Sequence, residues 1–501
     1  MPSASAPRPS PRSVFKGALQ GTILYSIPLV GQRVASIFLL SIVTRVLTRD
    51  DFGMLSLLEQ VGSVLSILLC GSFSSALGYF YFEKNLEQRR GQVVGSAIFG
   101  SFLLGGVAGL IGWSAMGLLA RDVFRSNEAL RYLPIVFLTL PFDFGREALF
   151  GWLRVEDWQA AYAKISLLRI AITVAGIAVL VGVLKMRVLA YLSTTFAAQV
   201  VVVAIMGAYL FRKMHPGISF DLFVRMFRFS VPMGLSLIAA FVMNFGDQFV
   251  LRHYHSLGEV GIYALAYRIG MLVAVAFSSF QTYWAAQVYQ ILQRRDADEV
   301  FARLFTYAIL LASSVTLVLT LASRPGLRIL VAPDFWAAAP LIPVIAAANG
   351  IRVVAEFLRL RFWAAGRPGY KTWCDWVGMV VCLALYFLLI PRYGMWGGAI
   401  ATLATFIVLG VISVVSTYRM KPYPVEGSRL LKLGSVVTTI LALYYAVPFS
   451  SLTLQIIWAA ALSLLFPTAL WALRFPTTGE WQALRSALHK ITRGRYGTTV
   501  A

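Results

Sequence analysis

Five arginines stand inside apolar stretches long enough to cross a bilayer: Arg33, Arg146, Arg169, Arg268 and Arg352. A guanidinium stays charged and offers a planar fork of donors that matches carboxylate or phosphate. Each costs ~2.5–3.5 kcal/mol near a helix centre on insertion scales, so five facing lipid would cost roughly 12–18 kcal/mol. They must face protein or water. Arg352 has Glu356 one helical turn along, and Arg146 has Asp143 three residues back and Glu147 beside it, so both have local ion-pair partners. Arg169 lies about a turn inside its stretch, within snorkelling reach of the boundary.

Arg33 and Arg268 have no acid within four residues on either side. They are expected to line a cavity as anion ligands, with Arg146 and Arg352 as further cavity candidates. The alternative for the first two is pairing with Glu59, Asp247 or Asp375 on other spans. Asp247 and Glu59 are the acids nearest the predicted outer side, each either a proton or cation site or a salt-bridge partner. Thr44–Gly53, "TRVLTRDDFG", packs Arg45, Arg49, Asp50 and Asp51 between two apolar runs, where the chain re-enters water. Loop solvation is the plainer account of Arg49 and Asp50.

Other chemistries find little support. Cys70, Cys374 and Cys382 all fall in apolar runs, and His253 and His255 share a loop, so neither a disulfide framework nor a metal site is predicted. No GxxxxGK[ST] phosphate loop is present, and no cofactor is expected. Asp296-Ala297-Asp298 spells the DxD of some glycosyltransferases, but it stands in a short loop with no domain around it.

The elements that must position these residues are membrane helices. Hydrophobic residues make up 58% of the 501 and charged residues 13%, about half the usual share. The mean hydropathy is +0.74, more apolar than a soluble core of this length can hide. The sequence predicts an all-α polytopic protein with fourteen spans, near 17–43, 54–80, 91–119, 132–153, 165–184, 188–211, 229–251, 260–290, 304–323, 337–358, 373–390, 394–418, 433–448 and 452–473. The first is too long for a signal-peptide core and reads as retained. With the N-terminus inside, the inner segments hold 28 Lys and Arg and the outer loops 11, which makes both termini cytoplasmic and Thr44–Gly53 external. The net charge of +22 therefore reflects topology, and no nucleic-acid partner is expected.

The chain also repeats itself. Ser26-Ile27-Pro28 recurs as Ser230-Val231-Pro232, Phe52-Gly53 as Val260-Gly261, and Pro134 with Arg146 as Pro340 with Arg352, all near one spacing. Residues 17–213 and 225–421 are thus expected to form two six-helix lobes, parallel repeats with a cavity between them, followed by two extra helices over 430–473. Residues 1–16 read as a disordered cytoplasmic arm. The basic tail 474–501, where Trp481, Leu484, Leu488 and Ile491 share a helical face, reads as an interfacial helix or a solvated tail.

"TRVLTRDDFGMLSL" and "DQFVLRHYHSLGEVGIYALAYRIG", from Asp247 to Gly270, resemble paired motifs of the polysaccharide transporter branch of the multidrug/oligosaccharidyl-lipid/polysaccharide exporter superfamily. This branch includes the Wzx-type O-antigen and exopolysaccharide flippases, with lipid II flippases as cousins. The resemblance implies a cargo of polyprenyl-pyrophosphate-linked oligosaccharide, moved between leaflets of a bacterial inner membrane by alternating access. It implies an ion gradient rather than ATP as the drive, and membrane lipids and glycan polymerase or export machinery as partners. It also implies that Phe52-Gly53 forms a tight turn at the mouth between the first two spans, with Arg45 and Arg49 as interfacial anchors or gate partners of Asp50 and Asp51. Two rivals remain: a drug or cation antiporter of the same superfamily, with a carboxylate-governed cavity, and a membrane enzyme of glycan assembly, which needs a large loop absent here.

Overall fold

A computed structural model describes residues 28, 31–32, 35–70, 73–291, 295–447 and 449–476. The arm 1–16, most of the first span with Arg33, and the tail beyond Phe475-Pro476 lie outside the described residues. Helices follow one another with short connections: α1 (Ala35–Val46), α2 (Arg49–Cys70), α3 (Phe73–Tyr81), α4 (Arg90–Ser114), α5 (Ala129–Val155), α6 (Gln159–Ile177), α7 (Arg187–Lys213) and α8 (Phe220–Tyr254). Then come α9 (Leu257–Gly270), α10 (Leu272–Ile291), α11 (Ala297–Leu330), α12 (Leu341–Ala364), α13 (Pro368–Met420), α14 (Gly427–Ala446) and α15 (Leu452–Ala472). No strand occurs among the described residues.

Among the described residues, ten helical segments are long and apolar enough to cross a membrane. One of them, within α13, runs for 52 residues, room for two crossings. At Gly394, φ 55° and ψ −133° interrupt the helix, where the sequence separates the spans 373–390 and 394–418. The positive φ would strain any other side chain there, so the conformation requires glycine.

Close contacts divide the chain into two units. The first holds residues 1–265, 330–337 and 375–405, and the second holds 266–329, 338–374 and 406–501. This division falls at Leu265, because α8 packs with α2, α3 and α4, and the start of α9 crosses α2. Within the first unit, α4 packs on α5 through Gly, Ala and Ser positions, the small residues that let membrane helices approach closely.

The Phe52-Gly53 pair makes no turn. α1 stops at Val46 and α2 starts at Arg49, leaving Leu47 and Thr48 between them. Asp51 Oδ2 accepts from Thr48 N at 2.9 Å, and Asp51 N donates to Thr48 Oγ1 at 3.2 Å. This reciprocal cap satisfies free N–H groups of the first turn, and the acids at 50 and 51 suit the positive helix end. Gly53 is therefore helical, and its purpose is approach. A Cβ on Gly53 would lie 2.1 Å from the Leu257 carbonyl oxygen, and one on Gly261 would lie 2.1 Å from the Arg49 carbonyl oxygen. α2 and α9 thus cross backbone on backbone, each glycine meeting the carbonyl four residues before the other. The repeat seen in sequence is a local two-fold crossing here.

In the second unit, Trp284, Phe301, Phe305, Phe357 and Tyr423 make an aromatic core around α10, α11 and α12, with Trp284 Nε1 donating to Phe357 O at 3.2 Å. The extra pair α14 and α15 joins α11 through a separate apolar cluster that includes Leu321, Leu433, Ile440, Leu462 and Phe466.

Candidate functional site

The end of the first unit predicted to face outward is tied by backbone contacts as well as charges. Arg252 Nε donates to Phe124 O at 2.7 Å, and Arg252 reaches Arg125 O at 3.1 Å. Arg125 returns to His253 O at 2.5 Å, held in a left-handed conformation with φ 46°. His255 Nε2 lies 3.0 Å from Ile390 O, and its Nδ1 lies 3.4 Å from Glu259. Arg187 Nε bonds Asp51 Oδ2 at 2.8 Å, and Arg49 pairs with Asp334 at 3.5 Å. Arg45, expected to partner Asp50 or Asp51, is exposed and makes no hydrogen bond or ion pair among the described residues. At the opposite end, the Tyr81 hydroxyl donates to Glu156 at 2.7 Å, and burial first, then that bond, pushes the phenol up to about 12.

Below the glycine crossing lies a buried polar node. Ser56 Oγ donates to Gln248 Oε1 at 2.7 Å. Asp247, fully buried, accepts from Tyr263 OH at 2.5 Å, Gln248 N at 2.8 Å and Thr402 Oγ1 at 3.4 Å. The Tyr386 hydroxyl extends the node to Thr402 at 3.2 Å and to Met243 O at 3.2 Å. Among the described residues no Lys or Arg pairs with Asp247, and the carboxyl group is held there by hydroxyls and backbone amides. Sequence reasoning singled out Asp247 but missed Tyr263, Tyr386 and Thr402, which lie 16, 139 and 155 residues away. Only Tyr263 carried a signal, since it stands within the second quoted motif.

Two cavities of opposite character open in the first unit. The larger, about 640 Å³, is lined by Glu59, Gln60, Ser63, Asp143, Tyr191 and Thr195 among apolar groups, and its charged residues are acids. The smaller, about 60 Å³, is lined by Arg146, Arg154 and Arg169 with Glu147. Asp143 and Arg146, 3.4 Å apart, stand between them. Arg146 also reaches Glu147 at 3.5 Å.

The second unit holds an apolar cavity of about 620 Å³, lined by Ile309, Thr316, Ile351, Val354, Val411 and Leu441 among others. Arg352 pairs with Glu356 at 3.3 Å as the spacing predicts, and Gln281 donates to the same carboxylate at 3.0 Å. Neither residue lines the apolar cavity. Arg268 is exposed near the C-terminal end of α9, and Arg33 lies outside the described residues. Asp298, of the DxD triplet, pairs with Lys421 at 3.0 Å and lies 3.9 Å from Arg361. No cluster of metal-binding side chains occurs among the described residues.

This arrangement is an all-helical, multi-span membrane fold. The lipid II flippase MurJ in an inward closed conformation matches with a TM-score of 0.73 at 14% identity, over 90% of this chain and 99% of that one. An inward-facing multidrug resistance MATE family transporter matches with a TM-score of 0.62 at 14% identity, over 80% of this chain and 98% of that one. A superfamily transporter from Pyrococcus furiosus, described as having a binding pocket of reverse polarity, matches at 0.53 with 14% identity, over 81% and 95%. Comparison with curated protein sequences found no match. A family model described as polysaccharide biosynthesis protein matches residues 18–284, just over half of the chain, and the chain belongs to that family. The family model accords with the polysaccharide-family resemblance of the motifs, and the fold is the one shared by the solved flippase and transporters.

Proposed function

We propose that the protein carries a polyprenyl-pyrophosphate-linked oligosaccharide, an O-antigen or exopolysaccharide repeat unit, from the inner to the outer leaflet of a bacterial cytoplasmic membrane. Both termini face the cytoplasm, and glycan polymerase or export machinery takes up the product. The observation that carries this reading is the pairing of family with chemistry: a polysaccharide-family chain with guanidinium groups inside its spans and a large apolar cavity in its second unit. The polar head of such a lipid cannot cross ~30 Å of hydrocarbon unaided, because each unpaired polar group costs several kcal/mol there. Arg33 and Arg268 are the proposed ligands of the head, the apolar cavity suits the prenyl tail, and Asp247 and Glu59 are the proposed proton or cation sites. Movement proceeds by alternating access without ATP.

The acid-lined cavity around Glu59 and Asp143 favours a second reading, exchange of a cationic drug for protons. Purified protein in liposomes separates the two. The expected result is gradient-sensitive transfer of a pyrophosphate-linked oligosaccharide lipid between leaflets, lost in Arg33→Ala. Exchange of a cationic drug for protons, with the glycolipid left in place, overturns it.

A further inference from the structure

The 60 Å³ cavity of the first unit lies between α5 and α6, at the end of the bundle that the charge count assigns to the cytoplasm. Its guanidinium groups are unequally matched. Arg154 bonds Glu147 at 3.1 Å, and Arg146 divides itself between Glu147 at 3.5 Å and Asp143 at 3.4 Å. Arg169 makes no side-chain hydrogen bond or ion pair among the described residues, and its Nε is buried without an acceptor, as is that of Arg146. The charged groups acting on Arg169 are Arg146, Asp143 and Glu147, so a like charge is among its neighbours. A half-buried cation in this state needs an anion.

We propose that this cavity binds a phosphate group presented by a lipid headgroup of net negative charge. Three arginines supply planar forks that match phosphate oxygens, which a lysine cannot reproduce. Ser166, 7% exposed, lines the same space, and its hydroxyl makes no hydrogen bond among the described residues. The cavity holds about 60 Å³ against about 640 Å³ for the acid-lined one, a size that suits a single small anionic group. On α6, Leu167 and Leu168 beside Ser166 are exposed apolar residues, which places the acyl or prenyl part of such a ligand in the surrounding lipid. The phosphate chemistry stands by itself; that the phosphate belongs to the transported lipid rests on the function proposed above.

Native mass spectrometry of the delipidated full chain tests both parts, with undecaprenyl pyrophosphate, phosphatidylglycerol and phosphatidylcholine as separate probes. The wild type is expected to retain undecaprenyl pyrophosphate over phosphatidylcholine, and Arg169→Gln is expected to lower that retention about tenfold, the scale of one lost charge-assisted bond. Arg169→Lys keeps the charge without the fork and falls between, which serves where the glutamine variant does not fold. Lys164→Gln, exposed on the same helix and outside the cavity, leaves retention unchanged. Equal retention of phosphatidylcholine, or retention indifferent to both substitutions at 169, overturns the site. Arg169-dependent retention of phosphatidylglycerol with none of undecaprenyl pyrophosphate keeps the phosphate site and overturns its cargo role, whatever the liposome assay gives.

Discussion

Two pairs of repeat-related positions behave in opposite ways. Gly53 and Gly261 are used alike, each pressed against the carbonyl four residues before the other on the facing helix. Arg146 and Arg352 are used differently. In the second unit the carboxylate is drawn in: Glu356 is 27% exposed, takes Arg352 and Gln281 directly, and has Arg359 and Lys371 as further cationic neighbours. In the first unit the acids sit at the rim, with Asp143 40% and Glu147 49% exposed, while Arg146 is 19% exposed beside Arg169. A glycine crossing fixes backbone geometry and leaves no freedom, so both copies must keep it. An ion pair fixes only that charges cancel. One copy can close on its acid while the other is left facing a cavity with positive charge to spare.

The glycine crossing gives the largest expected effect. Gly261→Leu forces a side chain into a space where a Cβ alone meets backbone oxygen at 2.1 Å, so α2 and α9 must separate. Ser56 lies beneath this crossing, 2% exposed. A Ser56→Cys reporter is expected to be inert to an impermeant thiol reagent in the parent and to react as freely as a surface position in Gly261→Leu. An inert reporter in the double variant means that the crossing does not govern access. Gly53→Leu is expected to act the same way, which makes the symmetry itself testable.

How much of this the sequence carried depends on how far apart the partners lie. The nearly constant repeat spacing marked 53 with 261 and 146 with 352, the second pair the more plainly because arginine is expensive to place in a membrane and stands out. The local pairings Arg146–Asp143 and Arg352–Glu356 were readable from helical periodicity. The purpose of Gly53 was misread as a turn, although Thr48 and Asp51, three apart, already spelt a helix cap. The surroundings of Asp247 were not readable: Tyr386 and Thr402 reach it only through the folding of α13 against α8 and α9, which no local pattern encodes. The spare charge of Arg169 was hidden for the same reason, since Arg146 and Arg154 come from α5 and Arg169 from α6.

Removing the acids separates the two arginine sites next. Glu356→Gln takes the counter-charge from Arg352 while Arg359 and Lys371 remain nearby, and is expected to destabilise by about 3 kcal/mol, the cost of stranding a largely buried charge. Glu147→Gln, at an exposed rim, is expected to cost below about 1 kcal/mol. Thermal aggregation of the detergent-solubilised variants measures the contrast. Equal losses at both positions erase the distinction between a closed and an open copy of the repeat.

The smallest effect is the most informative about charge. Asp143 stands between the cavities: its carboxylate accepts from Arg146 and from Gln199 Nε2, and it lines the larger space with Glu59. Asp143→Asn keeps an oxygen for Gln199 and Arg146 but removes the negative charge. Arg146 then has only Glu147 left as an ion-pair partner among the described residues, and the small cavity becomes more positive. A half-exposed pair of this kind contributes under ~1 kcal/mol, so retention of undecaprenyl pyrophosphate is expected to rise roughly threefold rather than tenfold. The same change removes one of the two acids lining the larger cavity, so its cation sensitivity should fall as anion retention rises. If anion retention falls instead, Asp143 holds Arg146 in its binding posture, and the carboxylates of this unit serve the phosphate site rather than a separate cation path.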